Sequence, residues 1–256
     1  MAQRGIFAVM FPPIVHIALE TLAFALGGVL YWRSSNASTQ PSDRWTRWGI
    51  LAGAALGAAL GSRGLYMLQY WGALTHQPLA LWLGGKTIVG GLLGALVGVE
   101  TAKRALNWTA STGDGFVLPL LAAIIIGRIG CQLSGLSDLT YANATGLPWG
   151  WNYGDGLARH PTSLYEILGV AAIASVLYRA HFLTRPGDRF RAFMVGSLAL
   201  RFGLEFLKPP FGPAAEGLLA PERWGPLSAI QWACLAGLGY YGRDIHRWAM
   251  QGRGRA

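Results

Sequence analysis

Seven long apolar stretches decide what this chain can become, at residues 6–32, 48–71, 83–102, 116–133, 163–182, 192–207 and 227–242. A helix crosses the hydrocarbon core of a bilayer with about 20 mainly apolar residues, because lipid offers no partner to a bare backbone N–H or C=O. Charged residues make up 13% of the chain, about half the share found in soluble domains. That deficit excludes a disordered chain, a nucleic-acid-binding arm and most soluble enzymes of this length. The sequence predicts an all-α polytopic membrane protein with seven transmembrane helices. They form a single domain over residues 1–256, with an outer loop or subdomain at about 134–160. The first stretch has only Arg4 before it, is too long for the apolar region of a signal peptide and lacks a following A-x-A site. It is therefore expected to stay in place as a helix.

The formal charge of +9 tests this topology, since Lys and Arg favour loops on the cytoplasmic side. Loops one, three and five and the C-terminal tail hold thirteen of the 21 cations, Arg33, Arg44, Arg47, Lys103 and Arg104 among them. The other side holds four, Arg4, Arg159, Lys208 and Arg223, and the last four fall within spans. The split places the N-terminus outside and the C-terminus in the cytoplasm. The positive excess records orientation, and no nucleic-acid partner is expected.

Two glycine rows set the packing. Gly49, Gly53, Gly57 and Gly61 recur every fourth residue on the second stretch, as do Gly90, Gly94 and Gly98 on the third. Small residues at this spacing let helix backbones approach closely, a reading favoured over a ligand cradle. Cys131 and Cys234 lie in apolar runs, so a disulfide scaffold is excluded and both read as packing residues rather than nucleophiles.

Ionisable groups inside a bilayer cost roughly 2.5–3.5 kcal/mol each on insertion scales, so those retained mark function. The cations within spans are Arg63, Lys86, Arg128 and Arg201. In the predicted orientation they lie toward the outer leaflet, together with His16, Glu20, Tyr66, Tyr70, His160, Tyr165, Glu166 and Glu205. His16 and Glu20, and likewise Arg201 and Glu205, are i,i+4 neighbours on one helix face. Three arginines and a lysine against a few carboxylates suit a phosphate, which a guanidinium grips through two parallel hydrogen bonds. In that leaflet the phosphate at hand is a phospholipid headgroup. Internal ion pairs that merely lock the bundle would account for one Arg–Glu pair, but less well for the whole cluster. Tyr141, Trp149, Trp151 and Tyr153 around Pro148 read as an interfacial aromatic anchor in preference to substrate contacts. The inner half of the bundle lacks matching polar groups, which argues against a transporter. No metal and no soluble cofactor is indicated.

At these same positions the sequence resembles the prolipoprotein diacylglyceryl transferases. Gly127-Arg-Ile-Gly-Cys-Gln-Leu-Ser-Gly135 is similar to that family's signature around its essential arginine. Thr145-Gly-Leu-Pro-Trp-Gly150 and Arg159-His-Pro-Thr-Ser-Leu-Tyr-Glu166 follow in the family's order. Upstream, Gly61-Ser-Arg-Gly-Leu-Tyr66 resembles its second-span arginine motif, and the block from Trp82 through Lys86, Gly90 and Gly91 to Leu92 resembles its Trp-x-Gly-Gly…His-Gly-Gly-Leu block. Arg201-x-x-x-Glu205-Phe206 looks like the pair on its penultimate helix. The resemblance spans roughly residues 60–235.

The resemblance implies a seven-span enzyme of the bacterial plasma (inner) membrane. Such an enzyme moves diacylglyceryl from phosphatidylglycerol to the lipobox cysteine of a prolipoprotein and releases glycerol phosphate. It implies that Arg128 and Arg201 stabilise charge developing on the phosphate, with Glu205 orienting Arg201. Arg63 would support the headgroup, and Tyr66, Lys86, Gly90, Gly91, His160, Tyr165 and Glu166 would complete the substrate site. Three positions depart from the pattern: Val89 stands where the family has His, Cys131 where it has Asn and Leu136 where it has Glu. A lost imidazole removes a general base, typically a 10²- to 10⁴-fold contribution. His16 with Glu20 one turn on, His160 or Lys86 are the candidates to replace it. These departures open two alternatives: a paralogue passing a lipid-derived group to a non-protein acceptor, or a catalytically silent protein that binds anionic lipid.

Overall fold

The computed structural model describes residues 13–34, 41, 43–138, 141–209, 211 and 221–253. Among the described residues ten α-helices follow in order: α1 (Pro13–Ser34), α2 (Arg44–Gln69), α3 (Trp71–Leu74), α4 (Leu79–Gly84), α5 (Ile88–Ala105), α6 (Val117–Ser134), α7 (Thr162–Arg179), α8 (Asp188–Glu205), α9 (Ala229–Tyr240) and α10 (Gly242–Arg253). Two antiparallel ladders of two residues each, Trp151–Asn152 with Ala158–Arg159 and Arg223–Trp224 with Leu227–Ser228, are the strands present. The fold is mostly helical, and a helix lies on each of the seven apolar stretches.

The helices start where the sequence offers a cap. The Asp43 carboxylate accepts the Thr46 N–H at 2.7 Å to open α2, and Thr87 Oγ1 accepts the Gly90 N–H at 3.1 Å to open α5. Ser228 and Gln231 form a reciprocal capping box at the head of α9. α2 lies along α5 and α1 along α6, while α7 packs between α6 and α8, and α9 beside α8. The glycine rows make the α2–α5 approach possible. A Cβ added at Gly53, Gly57 or Gly61 would meet the carbonyl oxygen of Gly98, Gly94 or Gly90 at 2.6, 2.1 or 2.3 Å. The apolar core, with Val89, Leu92, Leu121, Ile124, Val170, Phe193, Met194, Leu198 and Cys234, fills the space among α5, α6, α7, α8 and α9.

Several expected boundaries move. The third stretch is broken at residues 85–87 and resumes as helix at Ile88, because Gly85 is extended and the Tyr66 ring occupies the space where a Gly85 Cβ would stand. Lys86 therefore sits in a break between α4 and α5 and not within a span. The sixth helix starts earlier than expected, at Asp188, after Gly187 turns the chain with φ 87°. The seventh stops at Tyr240, and α10 follows at once. Of the first stretch, residues 6–12 lie outside the described residues.

Two units, Arg44–Gln69 and Gly113–Ser134, are by themselves long and apolar enough to cross a bilayer. The 18 residues of α5, α7 and α8 give each about 27 Å of helix. Large apolar side chains face outward on α1, α2, α5 and α7: Phe24, Leu56, Leu60, Val97 and Leu168 are 65–74% exposed.

Candidate active site

Where α6, α7 and α8 meet, the core gives way to charge. Arg128 of α6, Glu166 of α7, and Arg201 and Glu205 of α8 are all buried, at 2–9% exposure. Glu166 is the hinge of the cluster. Its Oε2 lies 2.8 Å from Arg128 Nε and 3.5 Å from Arg201 Nη1. Arg201 Nη2 also donates to Glu205 Oε2 at 3.1 Å, the i,i+4 pair expected from spacing. Arg128 Nη1 lies 3.6 Å from the Cys131 sulfur one turn on.

A polar scaffold holds the second carboxylate. Glu205 Oε1 accepts hydrogen bonds from Gln69 Nε2 at 3.3 Å and Ser228 Oγ at 3.5 Å. Gln69 in turn accepts the Ile230 N–H at 3.2 Å, and Gln231 Nε2 donates to the Phe202 carbonyl at 3.2 Å. The ends of α2, α8 and α9 are thereby tied to one carboxylate. Buried polar groups need such partners, since an unmade hydrogen bond there costs about 1–3 kcal/mol.

Lys208, three residues beyond Glu205, joins the cluster and is 6% exposed. Burial, then Arg201 and Arg128, push its ammonium down to about 7 against the pull of Glu205 and Glu166. Three basic side chains therefore face two carboxylates in a space largely closed to water. The turn carrying Lys208 is fixed from outside, where the Asn143 N–H donates to the Leu207 carbonyl at 2.8 Å.

The 141–161 segment covers this end of the bundle. Arg159, 2% exposed, donates to Asp155 Oδ2 from Nε and Nη2 at 3.0 and 2.5 Å and to the Ala142 carbonyl at 3.1 Å. Its guanidinium also stands 5.3 Å from the centre of the Tyr141 ring. Burial raises the Asp155 carboxyl, but the Arg159 hydrogen bonds outweigh it and hold the group below the usual carboxylate range. Arg159, expected as a loop cation, is thus a structural tie. Trp149 Nε1 donates to Tyr165 Oη at 2.8 Å, and His160 Nδ1 lies 3.4 Å from the same oxygen. Pro161 occupies the position before α7, so the His160-Pro161-Thr162 string leads into that helix.

The remaining expected site residues scatter. Tyr66 is buried and its ring stands 5.0 Å from that of Tyr70. Arg63 is exposed, and its Nε donates to the Leu83 carbonyl at 3.3 Å, away from the buried ion pairs. Lys86, with a side chain 52% exposed, pairs with Glu20 of α1. His16 lies on α1, but its side chain is outside the described residues. Gly90 packs against the Gly61 backbone and Gly91 near Ser62, so the structure uses both in helix contact.

Beneath the cluster lies a small cavity lined by Ile88, Val89, Leu92, Ile124, Val170, Leu198 and Leu200, with Glu166, Arg201 and Ser197 as its polar wall. Val89 thus places an apolar surface beside the Glu166–Arg201 pair. Among the described residues Ser197 Oγ has no hydrogen-bond partner. Chemically, paired guanidiniums with a surplus cation can bind a phosphate and stabilise negative charge growing on it. Sequence reasoning missed Gln69, Ser228 and the role of Lys208. Lys208 was legible, because Arg201, Glu205 and Lys208 fall at i, i+4 and i+7, one face of a helix. So was Ser228-x-x-Gln231, a capping-box pattern.

A sequence profile of prolipoprotein diacylglyceryl transferase matches residues 10–240. The chain is 30% identical over 225 residues to a phosphatidylglycerol–prolipoprotein diacylglyceryl transferase of Nitratidesulfovibrio vulgaris, covering 78% of this chain and 83% of that one. It is 34% identical over 206 residues to the protein of the same name from Cupriavidus necator, covering 77% and 71%. A Bordetella parapertussis protein of that name is 32% identical over 199 residues, covering 74% and 72%. The chain belongs to the prolipoprotein diacylglyceryl transferase family, a family of transferases.

Proposed function

We propose that this protein is a phosphatidylglycerol-dependent diacylglyceryl transferase of the bacterial plasma membrane, acting on a prolipoprotein cysteine. The observation that carries the reading is the buried Arg128–Glu166–Arg201 arrangement, with Glu205 and Lys208 beside it: two guanidiniums held by carboxylates within the helix bundle. The relatives' names support the same chemistry. The thiolate of the acceptor attacks the glyceryl carbon, the carbon–oxygen bond to phosphate breaks, and glycerol phosphate leaves. Arg128 and Arg201 meet the charge that develops on the leaving phosphate, and Glu166 and Glu205 hold the two guanidiniums in place. Arg63, Tyr66, Lys86, His160 and Tyr165 are assigned to the headgroup approach.

The same reading places seven helices across the membrane as one domain, with the N-terminus outside and the C-terminus in the cytoplasm. The outward apolar side chains and the uneven distribution of Lys and Arg among the loops support it. The two alternatives, a non-protein acceptor and a silent lipid-binding protein, rest on Val89 and Leu136 alone. The test is thioether formation on a lipobox peptide in vesicles containing phosphatidylglycerol. Arg128→Ala and Arg201→Ala are each expected to lower transfer by at least about 100-fold. Wild-type activity that survives both substitutions would refute the site.

A further inference from the structure

The end of the bundle opposite the ion cluster carries features that the transfer chemistry does not use. Asp114 accepts the Gly187 and Phe190 N–H groups at 2.7 and 2.9 Å, so the turn before α6 and the head of α8 meet there. Tyr31, near the end of α1, joins them with its ring 4.6 Å from that of Phe116. The Trp32 and Trp48 rings stand 6.1 Å apart, and the Arg47 guanidinium lies 5.7 Å from the centre of Trp32. Trp32, Trp45 and Trp48 are half-exposed or more. Exposed tryptophan beside arginine at one level is the pattern of a membrane–water interface.

Helix α10 is fastened at the same level. Arg247, in its middle, donates to Asp188 at the head of α8 at 2.7 and 3.2 Å, and the Trp248 ring stands 6.5 Å from that of Phe182, just beyond α7. The helix therefore lies against the end of the bundle and does not project from it. Its sides differ. Asp244, Arg247 and Gln251, at i, i+3 and i+7, form the half-buried side toward the bundle. Ile245, Trp248 and Ala249, at i, i+3 and i+4, form an apolar side on which Ile245 and Ala249 are exposed. Arg243, with Met250 two turns on, is exposed on the opposite side. From residue 242 to 256 the sequence holds four arginines and one acidic residue.

We propose that α10 is an in-plane helix of the membrane surface that binds anionic phospholipid, a placement that rests on the membrane reading above. Its Ile245–Trp248–Ala249 side enters the boundary between headgroups and acyl chains, and its arginines meet lipid phosphates. In the topology proposed above, that surface is the cytoplasmic one. Charge selects the occupant: a basic helix is drawn to an anionic surface, whereas a second copy of α10 would set arginine against arginine.

The experiment uses the full chain in bilayer discs of phosphatidylcholine and phosphatidylserine, the latter anionic but distinct from the donor lipid. Cys131→Ser removes the partly exposed thiol, Cys234 being fully buried. A nitroxide is then attached in turn at Ala249→Cys, at Arg243→Cys and, as a lipid-facing marker on α2, at Leu56→Cys. The Ala249 label is expected to follow the Leu56 label, colliding with dissolved oxygen in preference to a water-soluble nickel chelate. Its oxygen-to-nickel collision ratio should exceed that of the Arg243 label by at least about fivefold. An Ala249 label open to the chelate, or shielded from both reagents by protein, overturns the proposal. Headgroup contact is read separately, in the protein without labels. Arg243→Gln with Arg253→Gln should copurify with at least about twofold less phosphatidylserine, relative to phosphatidylcholine, than wild type does; equal retention overturns the lipid contact. A Leu56 label open to the chelate refutes the membrane reading itself, and this placement with it.

Discussion

Replacing Glu166 by Gln removes one negative charge and almost no volume, so it isolates what that carboxylate does. Its Oε2 lies 2.8 Å from Arg128 and 3.5 Å from Arg201, with both partners buried. At an effective dielectric constant near 20, these distances correspond to attractions of about 6 and about 5 kcal/mol. Desolvation of the three groups offsets most of that gain, and removal of one partner from a buried ionic cluster typically costs about 3–5 kcal/mol. For a chain of this size each kcal/mol moves the unfolding midpoint by about 2–4 °C, so Glu166→Gln is expected to lower Tm by roughly 6–20 °C. Thermal unfolding in detergent, followed by the loss of helical signal, measures it. Transfer should fall as well, by at least about tenfold, because two guanidiniums no longer held 2.8 and 3.5 Å from one carboxylate lose their aim at the phosphate. Glu166→Gln with wild-type Tm and wild-type transfer would refute the view that this carboxylate sets the arginine geometry.

Other perturbations test separate parts of the account. Gly57→Val places a side chain 2.1 Å from the Gly94 carbonyl; a loss of about 1–3 kcal/mol or more is expected, read as a lower Tm. Gly64→Ala on the same helix meets nothing within 4 Å and should be neutral or stabilising by up to about 1 kcal/mol. At the other end of α8, about 26 Å away, the fully buried Asp188 accepts from Arg247 at 2.7 and 3.2 Å and from the Arg185 N–H. Burial would raise its carboxyl, but the Arg247 and Arg185 hydrogen bonds hold it below the usual range. Its contribution to stability is therefore fully present above about 3.9, the unfolded value, and fades as pH falls through the lower folded value. Asp188→Asn should destabilise at neutral pH, and its Tm gap to wild type should close in strong acid.

Those elements that depend on local pattern were legible in the sequence. The apolar stretches became helices, the glycine rows became the α2–α5 seam, and Arg201 and Glu205 met as i,i+4 neighbours. The 151–159 hairpin was legible too, though it was read only as loop. Asn152 Oδ1 accepts the Gly154 and Gly156 N–H groups, and both glycines adopt positive φ. What depends on tertiary neighbours was not. Nothing near Glu166 in the chain announces that arginines from two other helices will share its oxygen. The apolar run from Leu83 hides the break at Gly85, which exists because the Tyr66 ring fills that space. Arg63 was expected among buried charges by its depth along α2, but depth does not fix the face, and its guanidinium points to the Leu83 carbonyl. Gln69 gains its role only because α8 and α9 end beside it.

The central claim is that the Arg128–Arg201 cluster cleaves a phosphatidylglycerol headgroup and delivers the lipid to a cysteine. Its most direct measurement is glycerol phosphate released by the purified protein in phosphatidylglycerol vesicles, with and without a lipobox peptide. The account predicts release that requires the peptide cysteine, matches thioether formation mole for mole and disappears in Arg201→Ala. Tight binding of phosphatidylglycerol with no glycerol phosphate released, or release equal with and without the cysteine, would contradict it.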